Sequence, residues 1–414
     1  MAGKEIDVIV IGGGASGMTA AIACARLHKN VMLLEHNDKI GRKLSATGNG
    51  KCNYTNQLQT MECYHGMEKD IIKEVLEQFG VKETLSFFRE LGIYPKEKNG
   101  YYYPFSEQAS AMIEAMRLEL EYLKVKIKCK EHIVKVEKKK EVFFVATETY
   151  TYCAKKVILA TGGIASPKLG SDGTGYEIAK SFGHTVTKLY PALTGLKVKE
   201  NFQALAGVRI KAEITLFVEN LNLKKREVYK ELGELQLTAY GISGIPVFQL
   251  SRFATVGLGE RKNVTASIDF LPDVLLDDLL NFVMQLKNQH FYKTMGTLLN
   301  GLLDNKVVGE LLKRVGIDKN RKVEDVTKEQ LFRFCHCIKE FTCVIIDSNG
   351  FDNAQVTAGG VSLLEIIPNT MESKKVKGLY LTGELLDVDG ICGGYNLQWA
   401  WTTGYLAGEA AGKE

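Results

Sequence analysis

Two glycine-rich stretches at opposite ends of the chain, with a change of residue periodicity between them, predict an α/β fold: a parallel-sheet domain split by an inserted unit. The first stretch runs Asp7-Val-Ile-Val-Ile-Gly12-Gly-Gly14-Ala15-Ser16-Gly17. The second is Leu379-Tyr-Leu-Thr-Gly383-Glu384, followed by Gly393-Gly394-Tyr395-Asn396-Leu397-Gln398. Between them, residues 193–354 turn first to short alternating runs and then to a helical pattern.

Ile6 to Ile11 is a short β-branched run, the pattern of a buried parallel strand. Gly12-x-Gly14-x-x-Gly17 then opens a helix expected over Met18 to Leu27. Gly12 permits the tight turn, Gly14 lets backbone approach a pyrophosphate, and Gly17 lets the helix pack on the strand. The unpaired N–H groups at that helix start favour an anion. A second strand, Val31-Met-Leu-Leu, ends in Glu35, placed to hold the ribose hydroxyls of an adenosine. This unit points to a dinucleotide and does not separate FAD from NAD.

The next segment is Gly41-Arg42-Lys43-Leu-Ser-Ala-Thr47-Gly48-Asn-Gly50-Lys51-Cys52-Asn53-Tyr-Thr-Asn56. Cations, small residues and amides alternate, which suits a loop wrapped along phosphate and sugar. A solvent-exposed polar loop has the same composition. The segment resembles the G-R-K-x-x-x-[ST]-G-x-G-[RK]-C-N-x-T-N signature of the HI0933-like, or aminoacetone-oxidase-like, bacterial flavoproteins, a family that includes bile-acid Δ4,6-reductases. Further landmarks follow in order: Val157-Ile-Leu-Ala-Thr161-Gly162-Gly163, the loop from Gly170 to His184, Gly233 to Pro246, Gln355 to Val361, and the C-terminal signature. The resemblance covers essentially the whole chain. Two departures stand out: Ala239 and Ile245 occupy places where many relatives carry His and Pro. Lys51 replaces a common Arg, keeping the charge but losing the planar fork.

The resemblance implies a Rossmann-type FAD-binding domain, split and three-layered, made from residues 1–192 and 355–414. It implies a β-barrel with a small helical part at 272–338 in the inserted cap or substrate domain, 193–354. It also implies non-covalent FAD held by Gly12, Gly14, Ala15, Ser16, Gly17, Glu35, Arg42, Lys43, Thr47, Gly48, Gly50, Lys51, Cys52, Asn53, Ile133, Thr161, Gly162, Gly383, Glu384, Gly394, Tyr395, Asn396 and Leu397. The residues themselves agree with a split. The apolar strand Gly378 to Thr382 needs neighbours in a sheet. Asn396 to Ala411 reads as a helix whose first N–H groups can face the flavin N1–C2=O edge. In the insertion, Leu196 to Asp269 alternates like an antiparallel barrel or sheet, and Leu275 to Cys337 is helical in pattern.

Bulk properties narrow the function. The hydrophobic share is 45%, the charged share 25%, and the net charge +4 over 414 residues, as in ordinary globular proteins. Cations and acids are interspersed, which gives no support to a nucleic-acid partner. Lys138-Lys139-Lys140 reads as a hairpin tip. Val8 to Ala25 is nearly uncharged, but its four glycines make it a strand and helix rather than a membrane span. Nine cysteines without a regular framework suggest reduced thiols in the cytoplasm. No metal is expected, since Cys335-His336-Cys337 lacks the partners of a four-ligand site. A second dinucleotide fingerprint is absent, because Gly170-x-x-Gly173-x-Gly175 has the wrong spacing. NAD(P)H, if it is the reductant, must therefore bind transiently.

Flavin N5 carries hydride, so the protein need add only orientation and at most one proton donor or acceptor. Cys52, Tyr103, Tyr240 and Cys392 are the candidates, each with a structural role as its alternative; Tyr101, Tyr102 and His184 follow, the last as a helix cap. The expected activity is an FAD-dependent oxidoreductase acting on a small organic substrate, by reduction of an activated C=C of steroid or bile-acid type. Oxidation of a small amine by O2 is the alternative chemistry, and a non-catalytic flavin-binding redox sensor the alternative class. Oligomeric state is not legible.

Overall fold

The structure is a computed structural model that describes residues 6–220 and 225–413. The chain divides into two units, one running up to Tyr190 and again from Gln355, the other Pro191–Ala354. Each closes its own hydrophobic core.

The first unit is built on a five-stranded sheet in the order Leu379–Leu381, Lys156–Leu159, Val8–Ile11, Val31–Leu34, Lys126–Lys128, all parallel. Val8–Ile11 and Val31–Leu34 are buried at every residue, as strands covered on both faces must be. The helices Ala15–Arg26 and Tyr395–Lys413 pack on this sheet and on each other. An antiparallel sheet of Ile133–Lys139, Val142–Thr147 and Thr151–Ala154 packs against Lys156–Leu159, making the third layer. Lys140, with φ 55°, turns the first hairpin of that sheet.

The first helix begins at Ala15, three residues before the expected Met18, because Gly14 takes extended backbone (φ −81°, ψ −166°) and serves as its N-cap. Ser16 and Gly17 thus lie inside the first turn. The last helix crosses it on a glycine stripe, Gly404, Gly408 and Gly412. A Cβ at Gly404 would overlap Ser16 O, and one at Gly408 would overlap Ala20 O. The two backbones touch, so these positions admit no side chain.

His184 is not a helix cap. The turn after helix Thr174–Ser181 is closed by backbone, Gly183 N donating to Lys180 O and His184 N to Ala179 O. The imidazole is therefore released inward, where Nδ1 lies 2.9 Å from Glu365 Oε2 and Nε2 2.8 Å from Ser373 Oγ. Burial holds His184 below its ordinary value of 6.5. Burial opposes ionisation of Glu365, but Lys375, Thr185 and His184 outweigh it and hold its carboxyl down at about 2. Both folded values lie below the unfolded ones, so the stability they give is present above the unfolded values and is lost as pH falls through the folded ones. Glu365→Gln is expected to lower the melting temperature at pH 7 and to flatten its decline below pH 4.5, the ordinary carboxyl value. Thermal melts between pH 3 and about 7 measure this; a decline as steep as that of the parent would contradict the assignment.

The second unit is a closed barrel in the order Leu196–Val198, Gly241–Ser243, Lys225–Thr238, Arg209–Asn220, Asn263–Asp269, Phe341–Ser348. Strict alternation sends Ala212, Ile214, Leu216 and Val218 inward. Helices Leu276–Gln289, Asn305–Arg314 and Lys328–Lys339 form its helical part. Helix Ile245–Gly259 was hidden by the β-type reading of residues 196–269. It starts where Pro246 fixes the first turn, and it buries Val247, Leu250 and Ala254 at helical spacing.

Candidate functional site

The two end signatures meet in the first unit. Gly12 adopts φ +103°, and a Cβ there would overlap Ala160 O, so the turn is pinned against the end of strand Lys156–Leu159. A Cβ at Gly17 would overlap Gly12 O. Gly14 differs: a Cβ there meets nothing within 4 Å. It opens onto space at the start of Ala15–Arg26, a helix with no side-chain cap and no acid in its first turn. Backbone N–H groups, open space and partial positive charge are what a pyrophosphate requires.

Glu35 is buried at the end of the second strand, with Oε2 accepting from Gly13 N at 2.7 Å and Oε1 from Asn37 N at 2.8 Å. Its position is fixed before any ribose arrives. Glu131 N donates to Glu35 O and Lys130 N to Asn37 O. This pairing brings the segment leading into Ile133 alongside Glu35.

The segment 41–56 is not a loop throughout. Arg42–Ala46 is a short helix and Thr47–Gly50 a 3₁₀ turn. Arg42, Gly48, Gly50 and Lys51 are exposed, while Lys43 and Thr47 are half-buried and Cys52 is buried. Arg42 donates to Asn37 Oδ1 at 2.9 Å, and Lys51 pairs with Glu107 at 2.7 Å. From Asn53 onward the segment is knitted into the C-terminal signature. Asn53 Oδ1 lies 3.0 Å from where a Gly394 Cβ would be, Asn56 Nδ2 donates to Gly393 O, and Trp401 Nε1 donates to Tyr54 O. Gln398 is the centre of this seam. It accepts from Thr55 Oγ1 at 2.6 Å, and its two amide protons are shared among Phe79 O, Thr84 Oγ1 and Thr402 Oγ1.

At the second signature, a Cβ on Gly383 would lie 2.7 Å from Ser16 Oγ, so the two glycine-rich stretches are in contact. Gly383 N donates to Thr403 Oγ1 and its carbonyl accepts from Trp399 Nε1. Lys43 and Glu384, both expected to touch cofactor, are paired at 2.8 Å. Glu384 also accepts from Thr357 N, and Thr357 Oγ1 in turn accepts from Ile164 and Ala165 N. Thr161 Oγ1 is buried with no hydrogen-bond partner among the described residues, and half-buried Gly162 follows it. Asn396 clamps Gly390 through both amide atoms at 2.8 Å. Tyr395 is buried and Leu397 half-buried at the start of the last helix, whose first turn carries no acid. An orphaned hydroxyl, an open glycine face and two acid-free helix starts fit a flavin dinucleotide.

The four candidates for chemistry fare differently. Burial pushes the Cys52 thiol up to about 12, leaving it neutral and without thiolate reactivity. Tyr103 is half-buried beside Tyr101, Lys51 and Glu107, and burial raises its phenol. Cys392 is half-buried immediately before Gly393. Tyr240 belongs to the inserted unit, beside Gly195 and Asn349. Ser373, His184 and Glu365 mimic a hydrolytic triad, but Ser373 is 3% exposed and its Oγ already accepts from Lys375 N and Val376 N. No incoming substrate can reach it. Among the described residues no cluster of side chains could hold a metal, and no helix is long and apolar enough to cross a membrane.

Sequence reasoning missed Gln398, Thr357 and Thr403 as organising residues. Gln398 was the visible one, a lone amide in the apolar run Leu397 to Trp401. Thr357 has no distinguishing signal in a three-residue strand.

Comparison with known proteins gives the family. Residues 6–410 match the family model of the HI0933-like protein Rossmann domain. A 3-dehydro-bile acid delta(4,6)-reductase from Clostridium scindens is 45% identical, covering 97% of this chain and 98% of its own. A ribosomal RNA dihydrouridine synthase from Haemophilus influenzae is 31% identical over 96% of each chain. Among solved structures, a flavocytochrome c3 fumarate reductase has the same overall fold, with a TM-score of 0.50 at 16% identity, covering 100% of this chain and 79% of its own. The chain is a flavin-dependent oxidoreductase and belongs to the HI0933-like family.

Proposed function

We propose that this enzyme reduces a carbon–carbon double bond conjugated to a carbonyl, in a small apolar substrate of the 3-oxo-steroid type, using non-covalent FAD. The observation that carries the reading is the 45% identity, over nearly the full length, to a reductase of 3-dehydro-bile acids. The more distant dihydrouridine synthase supports the same chemistry, since forming dihydrouridine also saturates a C=C conjugated to a carbonyl. When bound and reduced, the flavin would supply the hydride for one carbon of that bond, and a proton would go to the other. NAD(P)H, binding transiently for want of a second fingerprint, restores the electrons, so that NAD(P)H, a proton and the alkene give NAD(P)+ and the saturated product.

The chain's own residues hold and orient. The start of helix Ala15–Arg26 takes the pyrophosphate and Glu35 the ribose hydroxyls. The start of helix Tyr395–Lys413 would hold the pyrimidine edge of the ring, where its N–H groups would favour negative charge.

A second reading, reduction of a uracil ring in RNA, is favoured by the identity to the dihydrouridine synthase and opposed by the interspersed charges. Incubating the enzyme with NAD(P)H and either a 3-oxo-4,6-diene steroid acid or unmodified ribosomal RNA separates the two. The steroid is expected to gain two or four mass units. Conversion of RNA with an unchanged steroid would replace the first reading by the second, and turnover of neither would remove both.

A further inference from the structure

The three-stranded sheet Thr55–Asn56, Tyr101–Pro104, Pro95–Lys98 has two unlike faces. Thr55 pairs with Tyr102 and points to one side, where it is fully buried and donates to Gln398. Asn56, Tyr101 and Lys98 are cross-strand neighbours on the other side, followed by Tyr103 with Lys96. The backbone pairing of Phe105 with Tyr94 continues that face by one more step.

This second face begins at Gly393. Asn56 Nδ2 donates to Gly393 O at 3.1 Å, and a Cβ on Gly393 would lie 2.9 Å from the rings of both Tyr101 and Tyr395. Along this face Tyr103 is half-buried, while Tyr101 is 38% exposed, Phe105 62% and Tyr94 70%. The strip from Tyr101 to Phe105 is about 13 Å long at the rise of a strand. Lys51 and Lys96 both pair with Glu107, and Lys98 is exposed beside them. Two cations thus share one carboxylate, which leaves surplus positive charge on this face. Phe105 packs edge-to-face on Tyr94 and under Lys96, and contiguous exposed rings of this kind mark an interaction surface.

We propose that this face seats the substrate: an elongated, apolar, conjugated carbonyl compound carrying an anionic group, with Tyr101 against the ring to be reduced, Phe105 along the body, and Lys96 taking the anion. Charge complementarity selects an anion, and the continuous aromatic strip selects a rigid apolar body over a flexible polymer. The proposal rests on the enone-reductase reading above and adds the residues that set specificity.

The test titrates the oxidised holoenzyme with a 3-oxo-4-ene bile acid and with its neutral methyl ester, following the visible flavin spectrum. Lys96→Gln is expected to weaken binding of the acid about fivefold, the size of a partly screened charge pair, and to leave the ester unchanged. Phe105→Ala is expected to weaken both about tenfold. Both side chains are on the surface, so neither variant threatens the fold. Equal responses of acid and ester to Lys96→Gln, or wild-type binding by Phe105→Ala, would overturn the proposal while the enone reading stands. If the wild-type spectrum responds to neither probe, that reading fails and this proposal with it; a response to RNA instead would assign the face to a nucleic acid.

Discussion

Gly14→Val is expected to give a folded protein that retains no FAD, while Gly17→Val is expected not to fold. Both glycines belong to one fingerprint, yet they meet opposite surroundings. Gly14 has an extended backbone that any residue adopts, and a Cβ there meets nothing within 4 Å. The valine therefore costs about 1 kcal/mol as a poor N-cap and otherwise blocks only the ligand's approach. At Gly17 the new Cβ would overlap Gly12 O, which cannot retreat because Gly12 is itself pressed against Ala160 O. That loss exceeds about 4 kcal/mol, a large share of the stability of a domain. The ratio of flavin to protein absorbance after gel filtration, with a thermal melt, measures both. Wild-type FAD content in Gly14→Val would remove the fingerprint from the cofactor site.

Gln398→Leu is expected to destabilise the first unit by about 2–4 kcal/mol, from the buried Thr55 and Thr84 hydroxyls that lose their partner. The shape of the side chain is roughly preserved, so the loss is polar. Thr55, Thr84 and the Phe79 carbonyl would each lose a bond in the dry interior. The damage should spread to function, because Thr55 anchors the sheet that carries Tyr101 to Gly393. Urea unfolding of the flavin-loaded protein measures the first effect, and the FAD dissociation constant the second. Unchanged stability would show that the seam is held by packing rather than by this amide.

These two residues show what a sequence discloses. Gly12, Gly14 and Gly17 were legible because backbone geometry leaves few alternatives to glycine at a strand–turn–helix junction. Glu35 was legible because its strand has fixed length and direction. The seam was not, since Thr55, Phe79 and Thr84 lie more than 300 positions from Gln398 in the chain and no periodicity connects them. The pairing of Lys43 with Glu384 was hidden for the same reason: each looked like a ligand contact when read without the other. Helix Ile245–Gly259 was obscured by its β-branched and aromatic neighbours, although Pro246 marked its start. His184 was misjudged because a cap is a local event, and the backbone had already closed the turn.

The most direct test of the central claim is an anaerobic rapid-mixing experiment with the reduced holoenzyme. Mixing with a 3-oxo-4,6-diene bile acid is expected to restore the oxidised flavin spectrum within seconds and to yield one saturated bond per flavin. A reduced flavin that persists in the presence of the dienone, yet reoxidises at once when O2 or RNA is admitted, would contradict it.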